Sequence, residues 1–163
     1  MDVVMFIGSA SDLEVVADAL ETLKIFGVNH TIEVTSAHRS PERTIALVRR
    51  YEAEGAEVFI AAAGKAAHLA GVVAAHTVRP VIGIPVESGG LGGLDALLST
   101  VQMPKGIPVA TMGTGKTGAS NAALLAVQIL SLKRPELREK LVAHKKTMAA
   151  QVEADSNKVR QGL

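Results

Sequence analysis

The feature that most constrains this chain is a repeated handover from a short apolar run to an amphipathic helical stripe. Val3 to Ile7 is apolar without a break and stops at Gly8. A strand without alternation is apolar on both faces, the pattern of a parallel strand covered by helices on either side. Next comes Ser9-Ala10-Ser11-Asp12, rich in residues that cap helices, and then a stripe of Leu13, Val16, Leu20, Leu23 and Phe26 closed by Gly27.

The handover recurs along the chain. Residues 30–35 read as a second strand, and Pro41, suited to a first helical turn, opens a helix over 41–54 that Gly55 stops. A third strand over 58–62 leads through Ala63-Gly64-Lys65 into an alanine-rich helix ending near residue 76. A fourth, over 80–84, opens into the glycine-dense loop 85–93. A short helix (94–101), a strand (108–112) and a helix (119–132) follow, and Pro135 starts a last, highly charged helix. Five strands alternating with helices specify an α/β fold with a parallel sheet, and five units are too few for an eightfold barrel. The expected architecture is a three-layer, flavodoxin-like, doubly wound sheet of order 2-1-3-4-5, a single domain over residues 1–163. The helix at about 134–160 has no place in that sandwich and is expected to pack on a neighbouring subunit.

Composition limits the partners. A net charge of +1 gives no basic surface for nucleic acid. The absence of cysteine removes disulfides, thiolate metal sites and cysteine nucleophiles. Met1 to Ile7 lacks the length and basic flank of a signal peptide, and no apolar run is long enough to span a bilayer, so a cytoplasmic location is expected. Charge is also uneven. Residues 58–130 carry only Lys65, Arg79, Glu87, Asp95, Lys105 and Lys116, whereas residues 133–163 carry twelve charges. A charge-poor segment of that size is expected to be partly buried between subunits.

Strand order then locates the chemistry. Ligands of such sheets bind beyond the carboxyl ends of the strands at the point where the order reverses, here the loops after strands one, two and three. The first loop offers Ser9 and Ser11 beside a helix start, read by themselves as ordinary caps first and as phosphate ligands second, with Asp12 able to complement the helix dipole or accept from ribose hydroxyls. The second, Ser36-Ala37-His38-Arg39-Ser40-Pro41, sets a fork-shaped cation matched to phosphate beside a side chain that titrates near neutrality. The third has Gly64 for close approach, exposed amides at a helix start and His68 one turn in, where a structural role and a functional one are equally open. The Gly89 to Gly93 loop and the Gly113 to Gly118 loop both lack P-loop spacing, and no histidine or carboxylate cluster suggests a metal.

In order along the chain, Gly8-Ser9-x-Ser11-Asp12, Ser36-Ala37-His38-Arg39-x-Pro41, Ala63-Gly64-x-Ala66-Ala67-His68-Leu69, the segment from Leu94-Asp95 to Gln102-Met103-Pro104, and Gly115-Lys116-x-Gly118-Ala119-x-Asn121-Ala122-Ala123 resemble the PurE family of purine biosynthesis. Ala66-Ala67-His68-Leu69 resembles its class I members, N5-carboxyaminoimidazole ribonucleotide mutases; class II members, which carboxylate aminoimidazole ribonucleotide with CO2, typically carry Ser-Asn there. The resemblance implies a flavodoxin-like protomer in a homo-octamer, a small ribonucleotide substrate, and no metal or cofactor. It implies that Ser9, Ser11 and Arg39 hold the phosphate and Asp12 the ribose. His38 would transfer the proton, and Ser36 and the stretch Gly64, Lys65, Ala66, His68 and Leu69 would line the base and carboxylate pocket. The chain departs from class I at Lys65, where a small or apolar residue is usual, at Ala70 in place of a common proline, and at Ser88-Gly89-Gly90. The alternatives are a class II-type carboxylase and a non-catalytic flavodoxin-like nucleotide-binding module. A receiver domain would need an aspartate where Ala61-Ala62-Ala63 stands, and a flavin site would need aromatics that a chain with one tyrosine and no tryptophan does not supply.

Overall fold

The computed structural model of the protein describes residues 1–162. β1 (Val3–Ile7), β2 (His30–Val34), β3 (Val58–Gly64), β4 (Val81–Val86) and β5 (Ala110–Thr111) form one sheet in the order β2-β1-β3-β4-β5, every neighbouring pair parallel. This is the order expected from the sequence. The connections are α1 (Leu13–Phe26), α2 (Pro41–Ala53), α3 (Leu69–Ala74) and α4 (Leu94–Val101), and α5 (Gly115–Ser131) and α6 (Pro135–Gln161) follow β5.

Two compact units emerge, one from Met1 to Val127 that holds the whole sheet, the other from Gln128 onward. In the first, β1 is buried end to end, as an apolar run without alternation requires. Val4, Phe6, Phe59 and Ala61 pack with Leu47, Val48 and Tyr51 of α2 and with Leu69 and Val73 of α3. The intervening residues Val3, Met5 and Ile60 face the other side and are equally inaccessible. The second unit is carried by α6, which Pro135 opens and which buries Leu137 and Leu141 along an otherwise charged, exposed length. No helix among the described residues is long and apolar enough to cross a membrane.

The alanine-rich helix is shorter than expected, Leu69–Ala74, the fourth strand runs on to Val86, and two further elements differ more. The fifth strand shrinks to two residues because it lies at the sheet edge beside β4 alone, where Pro108 has no N–H to donate to a ladder. The last helix of the first unit begins at Gly115, not at residue 119, so the glycine-rich loop supplies its first turn. Gly118 lies directly against the Gly113 carbonyl, where a Cβ would collide, and Lys116 pairs with Glu14 at 3.0 Å. The Gly-Lys-Thr sequence is thus a tight helix start.

At the opposite edge, β2 is clamped to α2 through one carboxylate. Glu33 accepts from Tyr51 Oη at 2.8 Å, from Arg43 Nη2 at 2.8 Å and from Arg50 Nη2 at 3.1 Å. The Tyr51 hydroxyl foremost, then Arg50 and Arg43, hold the Glu33 carboxyl below the usual glutamate range against the opposing effect of desolvation. A folded-state value below the unfolded one gives stability that is complete above the ordinary value of 4.5 and lost as pH falls through the lower folded value. Glu33→Gln is therefore expected to lower unfolding free energy by about 1–2 kcal/mol at pH 7, in urea titrations, with the difference shrinking as pH falls below 4.5.

Candidate active site

Because every strand runs in one direction, the loops after β1, β2 and β3 leave the sheet side by side. They line one cavity of about 550 Å³. Every residue singled out from the sequence stands on its wall: Ser9, Ser11 and Asp12 from the first loop, Ser36, His38 and Arg39 from the second, and Gly64, Lys65, Ala66, His68 and Leu69 from the third.

The first loop folds as a 3-10 turn, Ala10–Asp12, capped by Ser9. The Ser9 amide donates to Asp12 Oδ2 at 3.0 Å, and both the amide and the hydroxyl of Ser11 lie on Ser9 Oγ at 3.3 and 2.9 Å. Ser9 caps, and both serines line the cavity. Burial pushes the Asp12 carboxyl above its ordinary range, while the Ser9 amide, the Ser11 hydroxyl and the Gly8 amide pull it back.

The second loop is fixed from within. The Ser36 amide donates to Ser40 Oγ at 3.1 Å, the Ser40 amide returns a bond to the Ser36 carbonyl at 2.9 Å, and Pro41 starts α2 directly afterwards. Beneath it the hydroxyls of Thr35 and Thr44 meet at 2.8 Å in a buried pair. Arg39 then reaches across to the first loop. Its backbone N–H donates to Ser36 Oγ at 3.2 Å and its Nη2 to the Gly8 carbonyl at 3.1 Å. Nη1 has no partner among the described residues, so the fork retains donors for a ligand beside Ser9.

The third loop begins where β3 leaves its last pairing, Gly64 opposite Val86. A Cβ at Gly64 would collide with Ser88 Oγ and come within 2.9 Å of the Val86 carbonyl, so only glycine fits there. Lys65 follows with φ 55°, the one non-glycine residue in the left-handed region among those described. His68 precedes α3, where the sequence placed it one turn into a helix. Its Nδ1 lies 2.8 Å from His38 Nε2, with the ring centroids 4.9 Å apart and nearly perpendicular. A nitrogen–nitrogen bond of that length needs a proton on one atom and a lone pair on the other, so the two rings share at most one added proton while it holds.

Ser88 also lines the cavity and was not singled out from the sequence. It sits in the glycine-dense loop after β4, one strand beyond the point where the order reverses. Its only signal was the need for glycine at Gly64. Overall the cavity sets Arg39 and Lys65 against the single carboxylate of Asp12, an arrangement that favours an anionic ligand bearing hydroxyls.

The raised Asp12 value has the opposite consequence to that of Glu33. A folded value above the unfolded one costs stability at neutral pH, and the cost fades as pH falls through the raised folded value and is gone below the ordinary value of 3.8. Asp12→Asn, which keeps an oxygen for the Ser9 amide, is expected to be more stable than the parent by up to about 1 kcal/mol at pH 7 and equal to it near pH 3 in paired denaturant titrations.

The AIR carboxylase family profile matches residues 2–151 of this chain. A Pyrococcus horikoshii protein named N5-carboxyaminoimidazole ribonucleotide mutase is 49% identical over 157 residues, covering 96% of this chain and 88% of that one. The Escherichia coli protein of the same name is 47% identical over 150 residues, covering 92% and 89%. Among solved structures, Treponema denticola PurE superposes with a TM-score of 0.87 at 30% identity, covering 96% of each chain.

Proposed function

The chain belongs to the AIR carboxylase family, and from that premise we propose that it is an N5-carboxyaminoimidazole ribonucleotide mutase. Its reaction moves a carboxylate from the exocyclic nitrogen of the imidazole ribonucleotide to ring carbon C4, without ATP. The observation that carries the residue-level reading is the union, in one cavity, of an arginine- and serine-lined end with a paired-histidine end.

Each residue takes a role that its chemistry suits. Arg39, with Ser9 and Ser11, binds the phosphate, since a guanidinium fork and hydroxyls at a helix start are matched to its oxygens. Asp12, an acceptor in a half-dry setting, takes the ribose hydroxyls. Ser36 keeps Arg39 in place and shapes the wall beside it. Gly64, Ala66 and Leu69 surround the imidazole and enclose a space without bulk, which retains released CO2.

The proton balance closes within the pair. Cleavage of the carbamate N–C bond releases CO2 and leaves the exocyclic nitrogen to gain a proton. C4 attacks that CO2 and then loses its hydrogen as a proton. His38 gives the first proton and takes the second, and His68, bonded to it through Nδ1, orients the ring for both transfers. One proton is thus carried and returned.

The apolar face of α4 supports an assembly. Leu94, Leu98 and Val101, with Leu91 just before them, form an exposed stripe at helical spacing in the charge-poor part of the chain. Asp95, on the same helix, has a buried carboxylate oxygen with no partner among the described residues. This pattern suits contact with further copies, and the assembly proposed is an octamer in which α6 covers a neighbour. Leu98→Glu is expected to reduce the mass measured by light scattering; an unchanged mass would remove α4 from the interface.

The activity test offers the purified protein the carbamate ribonucleotide, or aminoimidazole ribonucleotide with bicarbonate, in the absence of ATP. Preferential turnover of the carbamate is expected; preference for free CO2 would make the protein a carboxylase. His38→Asn is expected to fold, to bind substrate and to lose on the order of 10² or more in kcat. Arg39→Ala is expected to act chiefly on KM, and unchanged kinetics would sink the phosphate assignment.

A further inference from the structure

We infer that Lys65 is the counter-charge of the migrating carboxylate, and so determines how well the site distinguishes carboxylated from uncarboxylated ribonucleotide. This rests on the mutase reading. A substrate of that kind carries two anionic ends, a phosphate and a carboxylate, and a cation at each end strengthens a cavity's hold on both. Arg39 is committed to one end, because its guanidinium is bonded to the Gly8 carbonyl beside the serines of the first loop. Lys65 is the only other fixed cation on the wall, and it stands on the third loop, which also carries His68.

Its backbone carries the second part of the argument. Lys65 holds φ 55°, a conformation that glycine adopts without penalty and a lysine does not. The position is over-determined by its neighbours: the ladder to β4 ends one residue earlier, and Gly64 is wedged against Ser88. A side chain kept at such a place costs stability that glycine would not, and residues of this kind concentrate at ligand sites. The ammonium also has no carboxylate or other hydrogen-bond partner among the described residues, so no structural bond accounts for it. A flexible ammonium at the mouth suits a carboxylate that changes its point of attachment, because Lys presents three rotatable donors on a four-carbon stem, where Arg presents a rigid fork.

The test separates charge from backbone and affinity from turnover. By calorimetry, Lys65→Met is expected to weaken binding of the C4-carboxylated ribonucleotide roughly 10- to 100-fold and to leave aminoimidazole ribonucleotide, which lacks the carboxylate, within about twofold. Lys65→Arg should restore most of the difference. Lys65→Gly should show the same selectivity loss with a Tm raised by about 2–4 °C. Equal loss on both ligands, no loss on either, or a lowered Tm in the glycine variant would overturn the inference. None of these affinity ratios needs turnover, so a wild-type protein that fails to rearrange the carbamate would overturn the mutase reading separately.

Discussion

The hydrogen-bond ladder on both sides of β3 is the constraint on which everything else depends. β3 pairs with β1 from Val58 to Ala62 and with β4 from Phe59 to Gly64, all in parallel. Parallel pairing forces each strand to be followed by a crossover that returns to the same starting edge, so every loop of chemical interest leaves from the other edge. The residues Ser9, His38 and Lys65 are far apart in sequence and adjacent in space for that reason alone.

Much of this was legible in the sequence, and the reasons differ from residue to residue. The unbroken apolar run Val3 to Ile7 announced a strand covered on both faces, and Gly27 and Pro41 marked a helix end and a helix start. Strand order alone brings the three polar loops together. What could not be read was mutual distance. The bond between His38 and His68 joins residues thirty apart in sequence through ring orientations that no pattern encodes. Ser88 was hidden for the same reason, since its relation to Gly64 is a collision avoided across two strands. The left-handed conformation of Lys65 was also unreadable, because lysine carries no signal for it.

The two displaced carboxylates show how the fold divides its tasks. Glu33 sits at an edge with a hydroxyl and two guanidinium groups on it, and its charge holds β2 to α2. Asp12 is buried in the cavity wall, and its charge is held at a cost that the local amides only partly offset. One charge serves the frame, the other opposes it. Sites that keep a desolvated charge ready for a ligand characteristically give up stability in this way.

The placement of Tyr51 decides what an optical experiment on this protein can see. The chain has one tyrosine and no tryptophan. That ring is 5% exposed, lies 6.4 Å from Phe6 and carries the Arg50 guanidinium 4.2 Å above it, and it does not line the cavity. Its emission is therefore a single-site reporter of the seam between β2 and α2, and it has no direct view of a ligand. Any spectral response to substrate would have to travel from the loops, along α2, to the edge of the sheet; a silent titration would mean that binding leaves that seam undisturbed.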